Sequence, residues 1–575
     1  MTQHFLACMA PLGDIGEFPP PLSDALLARR CLERWRQPGI LLFASCDLPV
    51  RQLSNCSGLV LGQLFEADGR PTEDQIDISL SESGAVEFTS RFWGSYVALG
   101  QADGNVRVLR DPSGGLACYH AQIGPNHYVT TLPHLLTESG LLAAQIDWPT
   151  IGSALIRHAA RLPGTALRGI DEVLPGELRT FSANAASTLQ AWDPWRYAKR
   201  DLGRGAADTL EQVLCSTLAT WGRGTRRPLI EISGGLDSAI VAAGIALAAP
   251  GASLITFAAA PGDPDETAYA RAVAAHLGMP LEIAYPDLAD VDLTCSLSAH
   301  LPRPNARAFT QAADMQSLRI ARAIDADAFF SGGGGDDVFC YLRTILPALD
   351  RLRAEGVTGM LATASDIATM THSTLWDALP RIVRRLARGH SVKSPLDGRL
   401  ISRDYLAQIV PEPRLSPERD ALPGKADHVR GVLTIHNYLE GHARSEFAPI
   451  LSPLLSQPIV ECCLAIPTWM WCEGGRNRAV ARRAFSARLP QIVLDRSSKG
   501  SFDGFCARLL ELNRSLVSEW LMEGCLADQG FLDRDAIAAA LRVPAVPAET
   551  VARILALVDV ESWVRSWRSR PSLVS

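Results

Sequence analysis

The chain has no excess of positive charge, no paired-cysteine motif and no unbroken apolar run long enough to cross a bilayer. Its formal net charge is −7, so the overall balance does not point to nucleic acid. Thirteen cysteines are scattered without a Cys-x-x-Cys pair; Cys462 and Cys463 are adjacent and the total is odd. That pattern argues against a disulfide framework or zinc knuckle and for a reducing, cytoplasmic setting. The first 21 residues lack a basic start followed by an apolar core, so they do not read as a signal peptide. The most apolar stretch, Ala239 to Ala260, is interrupted by Pro250, Gly251 and Ser253. It reads as helix, turn and strand, which removes the membrane as a partner. No internal repeat or low-complexity tract is visible. What remains is 47% hydrophobic and 20% charged residues, enough for ample cores, in a 575-residue chain that needs two or more domains.

The most informative stretch runs from Pro228 to Ala243. A mostly apolar run, Pro228 to Ile232, predicts a buried strand; Ser233-Gly234-Gly235 breaks it, and an Ala-rich segment restarts as a helix. The glycines permit a tight turn and let backbone N–H groups approach a ligand. Asp237 and Ser238 fall in the first helical turn, where free N–H groups and the helix dipole favour an anion. This is a phosphate cradle without the Gly-Lys-Ser/Thr of the Walker type. It offers a carboxylate where that loop has a lysine. A carboxylate beside phosphates repels them unless a cation lies between, which implies Mg²⁺. A second loop has the same grammar: Ala328-Phe329-Phe330, then Ser331-Gly332-Gly333-Gly334-Gly335, then Asp336-Asp337. Two strand ends, each with a glycine loop and an aspartate, suit one Mg-pyrophosphate held between them.

Around these loops the chain divides by pattern. From the start to about residue 190, short apolar runs (Gly39 to Ala44, Gly58 to Phe65, Phe92 to Leu99, Val106 to Leu109, His127 to Thr131) alternate with turn residues. Leu141 to Ala160 has helical character and Arg161 to Phe181 returns to turns and strands. This predicts an α+β domain of stacked sheets. Strand–helix alternation from Leu210 to Ala328, with strands at Leu254 to Ala260 and Leu281 to Tyr285, predicts a doubly wound parallel sheet with ligands at strand C-termini. After Phe339 the pattern is helical, interrupted by a Pro-rich loop at 411–423 and resuming over 428–465 with a break near Pro449 and Pro453. Arg381, Arg384, Arg385, Arg388 and Lys393 read as a solvated helix face, with a surface for an acidic partner as the alternative.

Taken in order, these motifs resemble the asparagine synthetase B superfamily of ATP pyrophosphatases over nearly the whole chain. Phe92-Trp93-Gly94-Ser95-Tyr96 and Leu109-Arg110-Asp111-Pro112-Ser113-Gly114 resemble the family's glutaminase sheets, and Val173-Leu174-Pro175-Gly176 its closing segment. Pro453-Leu454-Leu455-Ser456, Arg478…Arg482-Arg483 and Arg496-Ser497-Ser498-Lys499-Gly500 resemble its C-terminal signatures. The resemblance implies an Ntn-hydrolase-like, degenerate glutaminase sandwich over 1–195. It implies an adenine nucleotide α-hydrolase-like (PP-loop) synthetase domain with helical additions over 205–575. The family's glutaminase uses an N-terminal cysteine; here Thr2 follows Met1 and the first cysteine is Cys8. The expectation is therefore a scaffold without glutamine hydrolysis. Members lacking that cysteine include β-lactam synthetases and the cyclases that close lasso peptides. The four-glycine loop, the run Pro453 to Glu461 and the helical segment between them are most similar to the lasso cyclases. That likeness implies adenylation of an Asp or Glu side chain by ATP, then attack by the peptide's own N-terminal amine. It also implies a precursor peptide, a leader-binding protein and a leader peptidase as partners. An ammonia-using asparagine synthetase, a β-lactam synthetase and a non-catalytic nucleotide-binding scaffold are the alternatives.

The expected site follows. Asp237 and Asp336 would hold Mg²⁺, with helix N-capping as the bland alternative. Ser233, Gly234, Gly235 and Ser238 would hold the pyrophosphate. By resemblance, Ile232 and Ala259 match the adenine pocket, with core packing equally good, and Ser331, Gly332 and Gly333 the second nucleotide contact. Lys499 matches a lysine that stabilises developing charge. Glu440, then Glu446, are candidates to take the amine's proton from a helix beginning at Thr434; Tyr341 and Tyr438 could position such a group.

Overall fold

The computed structural model describes residues 3–10, 15–54, 58–157, 161–182, 185–259, 263, 265–305, 307–342, 344–387, 396–408, 420–497 and 500–570. Thirteen strands fall in the first third: β1 Phe5–Met9, β2 Cys31–Gln37, β3 Ile40–Ser45, β4 Val50–Leu53, β5 Gly58–Glu66, β6 Gln75–Ile76, β7 Phe92–Ala102, β8 Asn105–Arg110, β9 Tyr119–Ile123, β10 Asn126–Thr130, β11 Asp171–Glu172, β12 Glu177–Phe181 and β13 Ala186–Gln190. They form a six-stranded sheet, β11-β9-β10-β1-β3-β2, and a seven-stranded sheet, β13-β12-β8-β7-β5-β4-β6. Alternation along the strands shows why the sheets stack. Phe5, Ala7 and Met9 of β1, Leu59 and Leu61 of β5 and Val97 and Leu99 of β7 meet in one core between the sheets. The residues between them point outward: Val60, Tyr96 and Ala98 pack with Phe88 of the helix Glu82–Arg91. Leu6, Cys8 and Leu41 pack against C-terminal helices through Leu509, Leu521 and Ile554. Each sheet is thus apolar on both faces and covered on both, a helix–sheet–sheet–helix stack.

Five strands form the second unit, a wholly parallel sheet: β14 Pro228–Glu231, β15 Ser253–Phe257, β16 Leu281–Ala284, β17 Ala328–Phe330 and β18 Ile450–Leu451. Their order is β16-β15-β14-β17-β18. The chain runs outward from β14 to β16, then crosses back through the helix Gln311–Ile324 to lay β17 on the other side of β14. The strand order therefore reverses between β14 and β17, the crevice where open α/β sheets bind ligands.

β18 falls at the break expected near Pro449 and Pro453, but as a strand and not a bare interruption of helix. Two residues between Pro449 and Pro453 are too few to show a period. They pair because Phe329 N donates to Pro449 O (2.9 Å) and Ser331 N to Leu451 O (3.0 Å). The helical character of 141–160 narrows to Trp148–Ile156, and Pro423 opens the helix Pro423–Thr434. Arg381 and Arg384 lie exposed on the helix Leu375–Ala387, while Arg388, Lys393 and 411–419 lie outside the described residues. Among the described residues no helix is long and apolar enough to cross a membrane.

Candidate active site

The two glycine loops leave the C-terminal ends of neighbouring strands in matched register, Pro228 beside Ala328 and Ile230 beside Phe330. They touch. A Cβ on Gly332 would lie 2.7 Å from Ser238 N, and one on Gly335 would lie 2.5 Å from the Asp237 Cβ, so only glycine allows this approach. Gly234 (φ 65°) and Gly334 (φ 85°) also need the left-handed region. The first loop is stiffened by Ser238, whose hydroxyl accepts from Ser233 N (3.1 Å) and donates to Gly235 O (3.3 Å). Ser331 does the same in the second loop, accepting from Gly333 N (3.0 Å). Neither aspartate is an N-cap: Gly235 caps the helix Leu236–Ala246 and Gly334 the turn Gly335–Val338, without a side-chain bond in either case. Asp237 and Asp336 are left facing the crevice.

What joins them is Arg478. Its Nη1 donates to both Asp237 oxygens (2.8 and 2.7 Å) and to Asp336 Oδ1 (3.0 Å), and its guanidinium lies 5.1 Å from the Tyr341 ring. Arg478 sits at φ 56°, ψ 37°, an uncommon conformation for a non-glycine residue and costly enough to mark a functional position. Arg482, one turn on, holds the next segment by its backbone: Nε to Asn477 O (2.8 Å) and Nη2 to Arg496 O (2.9 Å). Burial, and then the neighbouring Arg478 and Arg476, push Arg482 down to about 10. Arg496 closes the crevice from above. It pairs with Glu266, stacks 4.3 Å over Tyr269 and reaches Ser233 O (3.3 Å). Glu266 also accepts from Gly500 N (2.7 Å), so one carboxylate ties the 496–500 segment to the first loop.

The result is a cleft of about 530 Å³, large enough for a nucleotide, lined by Ser233, Gly235, Asp237, Ser238, Ala259, Ser331 to Asp337, Tyr341, Arg307, Arg478 and Arg496. Two carboxylates sharing one cation are a donor set that a divalent metal fits, since its oxygens already converge. Ile232 stands elsewhere: it is 1% exposed, packs in the core and does not line the cleft. Lys499 lies outside the described residues; Ser497, Gly500 and Ser501 beside it line the cleft.

Glu440 and Glu446 do not line the cleft. The helix ends at Thr434, a tighter turn occupies Ile435–Tyr438, and Gly441 (φ 81°) redirects the chain, so the expected helix from Thr434 to Glu440 does not form. Glu440 is turned toward the sandwich, paired with Arg161 and accepting from Tyr119 Oη (2.9 and 3.0 Å). Glu446 faces His4 at 3.8 Å. Tyr438 lies 6.0 Å beneath Arg307, outside the cleft. The acids in the cleft besides the aspartate pair are Glu231, Asp263, Glu266 and Asp337. Sequence reading placed Arg478 in a family signature without a role and gave none to Arg496 or Arg307; their distance along the chain from both loops hid the connection.

Residues 210–565 match the asparagine synthase family, and the chain belongs to it. It is an ATP-dependent amide-bond-forming ligase. No curated protein matches the chain. Two solved structures show faint likeness. One is titled "Structure of the allosteric regulatory enzyme of purine biosynthesis" (10% identity over 57% of this chain and 74% of that one, TM-score 0.21). The other is a glutamine phosphoribosylpyrophosphate amidotransferase from B. subtilis complexed with ADP and GMP (9%, 57% and 90%, TM-score 0.21).

Proposed function

We propose that this ligase closes a macrolactam ring in a lasso precursor peptide, using ATP with Mg²⁺ in the cleft between the glycine loops. The observation that carries the nucleotide reading is the convergence of Asp237 and Asp336 on one guanidinium across two touching glycine turns. The peptide reading rests on the resemblance of the four-glycine loop and of the Pro453 to Glu461 run. Asp237 and Asp336 would hold the metal, which would neutralise the phosphates. The turns at Gly234, Gly235 and Gly332 would offer backbone N–H groups to the pyrophosphate. Arg478 and Arg496, fixed by carboxylates and aromatic faces, place positive charge where charge develops as pyrophosphate leaves. An Asp or Glu carboxylate of the peptide attacks the α-phosphorus and displaces pyrophosphate. The peptide's N-terminal amine then attacks the acyl carbon, loses a proton and displaces AMP.

Burial pushes the thiols of Cys8 and Cys118 up to about 12 and that of Cys31 up to about 11, so none of the three is an activated nucleophile. Incubating the chain with ATP, Mg²⁺ and a leader-free core peptide should give AMP, pyrophosphate and a peptide lighter by one water. Asp237→Asn should abolish all three. Release of ADP, or amide formation with aspartate and ammonia in preference to the peptide, would overturn the reading.

A further inference from the structure

A second cavity, of about 430 Å³, lies between the sandwich and the C-terminal helices and shares no lining residue with the nucleotide cleft. Most of its wall is apolar, including Leu155, Leu162, Leu301, Leu557 and Val560. One end is different. Glu172, fully buried, is gripped by Arg110 (2.7 Å), Arg161 (2.7 Å) and Arg303 (2.8 Å), and Arg161 also holds Glu440. Arg161, Arg303 and Glu440 line the cavity. Three guanidiniums thus face two carboxylates. Tyr119 between them stays a neutral phenol, its pKa driven up by burial and then by Glu440. Burial, and then Arg110, push the His436 imidazole down to about 4, so it adds no further positive charge. Asp111 acts on Arg110 from the sandwich side, so the guanidinium that lines the cavity short of an acceptor is Arg303, a shortage that an anion can fill. The shortfall shows at Arg303. Its Nη2 is taken by Glu172 and by Leu162 O (2.6 Å), while its Nε is buried without an acceptor. Burial pulls this guanidinium below its usual value despite Glu172.

We infer that this cavity binds a monoanionic carboxylate with an apolar body, its charge seated at Arg303 and its chain along Leu301, Leu557 and Val560. One guanidinium Nε without an acceptor suits one carboxylate oxygen, and the volume suits a body of a few carbons or one apolar side chain. The carboxylate could belong to a free acid or to the C-terminus of a peptide. The inference does not rest on the macrolactam reading, because the site is read here by binding alone.

Hexanoate and hexanamide, titrated into the full-length chain, test it. Tryptophan fluorescence can report, since Trp563 donates its Nε1–H to Leu301 O (3.1 Å) on the cavity wall. Hexanoate should bind at least about tenfold tighter than the amide, as a single charge-assisted contact in a dry site would give. Arg303→Gln should erase that difference. Ala556→Trp, which fills the cavity without touching the charged end, should abolish binding of both. A peptide carrying a free C-terminal carboxylate, compared with its C-terminal amide as competitor against hexanoate, separates the two sources. Competition by the acid form alone assigns the site to a peptide terminus, and competition by neither assigns it to a free acid. Equal affinity for hexanoate and hexanamide, or undiminished binding to Ala556→Trp, would overturn the inference. Nucleotide binding and AMP release in the same variants report independently on the ligase reading.

Discussion

Arg478 concentrates the site's electrostatics in one side chain. Without it, two carboxylates face each other across the touching loops, and like charges at that range repel by several kcal/mol in a partly desolvated cleft. The left-handed backbone of residue 478 is the cost of aiming the guanidinium there. Arg478→Ala should therefore lower ATP–pyrophosphate exchange by about a hundredfold, the scale of losing one preorganised donor to a developing anion. Arg478→Lys should recover only part of that rate, because an ammonium is a compact point charge where Arg478 presents a planar fork. Wild-type exchange in the alanine variant would mean that the guanidinium only fills the cleft in the ligand's place. At this scale the sequence was half legible. The convergence of Asp237 and Asp336 could be expected because each follows a glycine loop within one or two residues. Arg478 stands 241 residues from Asp237 and 142 from Asp336, so its place in a signature did not reveal its partners. Glu440 failed for the opposite reason. It looked helical, but the turn at 435–438 and the left-handed Gly441 send it to the sandwich, where Arg161 and Tyr119 take its carboxylate.

Among the elements, those with a strong period were legible and those stabilised by distant partners were not. The strand Pro228–Glu231 and its helix follow from one apolar run, two glycines and an alanine-rich segment. The two-residue strand Ile450–Leu451 exists only because β17 offers it a ladder. The helical segment after the second loop shows the same dependence on remote contacts. Its helix Leu346–Met370 breaks at Gly356 (φ 79°) and is fastened to the helix Pro423–Thr434 by one buried carboxylate. Asp350 accepts from Gly424 N (2.7 Å), Lys425 N (3.0 Å) and Thr468 Oγ1 (2.6 Å), and so caps the start of the second helix from a distant one. Lys425 in turn donates to Ile466 O (2.6 Å) and Leu464 O. Asp350→Ala leaves three buried donors without an acceptor and should cost about 3 kcal/mol, read as a lower urea midpoint. Asp350→Asn keeps one acceptor oxygen and should cost less. Equal losses in the two variants would show that the volume of the side chain matters, and not its hydrogen bonds.

The whole molecule buries more imidazole than it can charge. Burial pushes His120 and His428 down to about 3 and His436 to about 4, and it drives His134 the same way. The unfolded chain protonates these rings near 6.5 while the folded chain does not, so it binds more protons below that pH and the stability present above it is lost on acidification. By pH 5 the loss is about 2 kcal/mol for each ring. Two buried acids act most strongly against it, with Glu461 raised by burial in the same sense. Burial raises Asp111 and Asp350 from 3.8 to about 6, so between those values the folded chain is the one that holds the extra protons. Each regains about 1 kcal/mol as the pH falls from 7 to 5. Four rings outweigh two acids, and the acids come into play only below about pH 6, after the rings have begun to titrate in the unfolded chain. Urea unfolding should therefore show stability falling by several kcal/mol between pH 7 and pH 5, more steeply below pH 6 than above it. Asp350→Asn should fall more steeply than the wild type below pH 6, because it lacks one of the two opposing acids. A profile that was flat or rose over this range would mean that the buried rings find acceptors and carry charge in the folded chain.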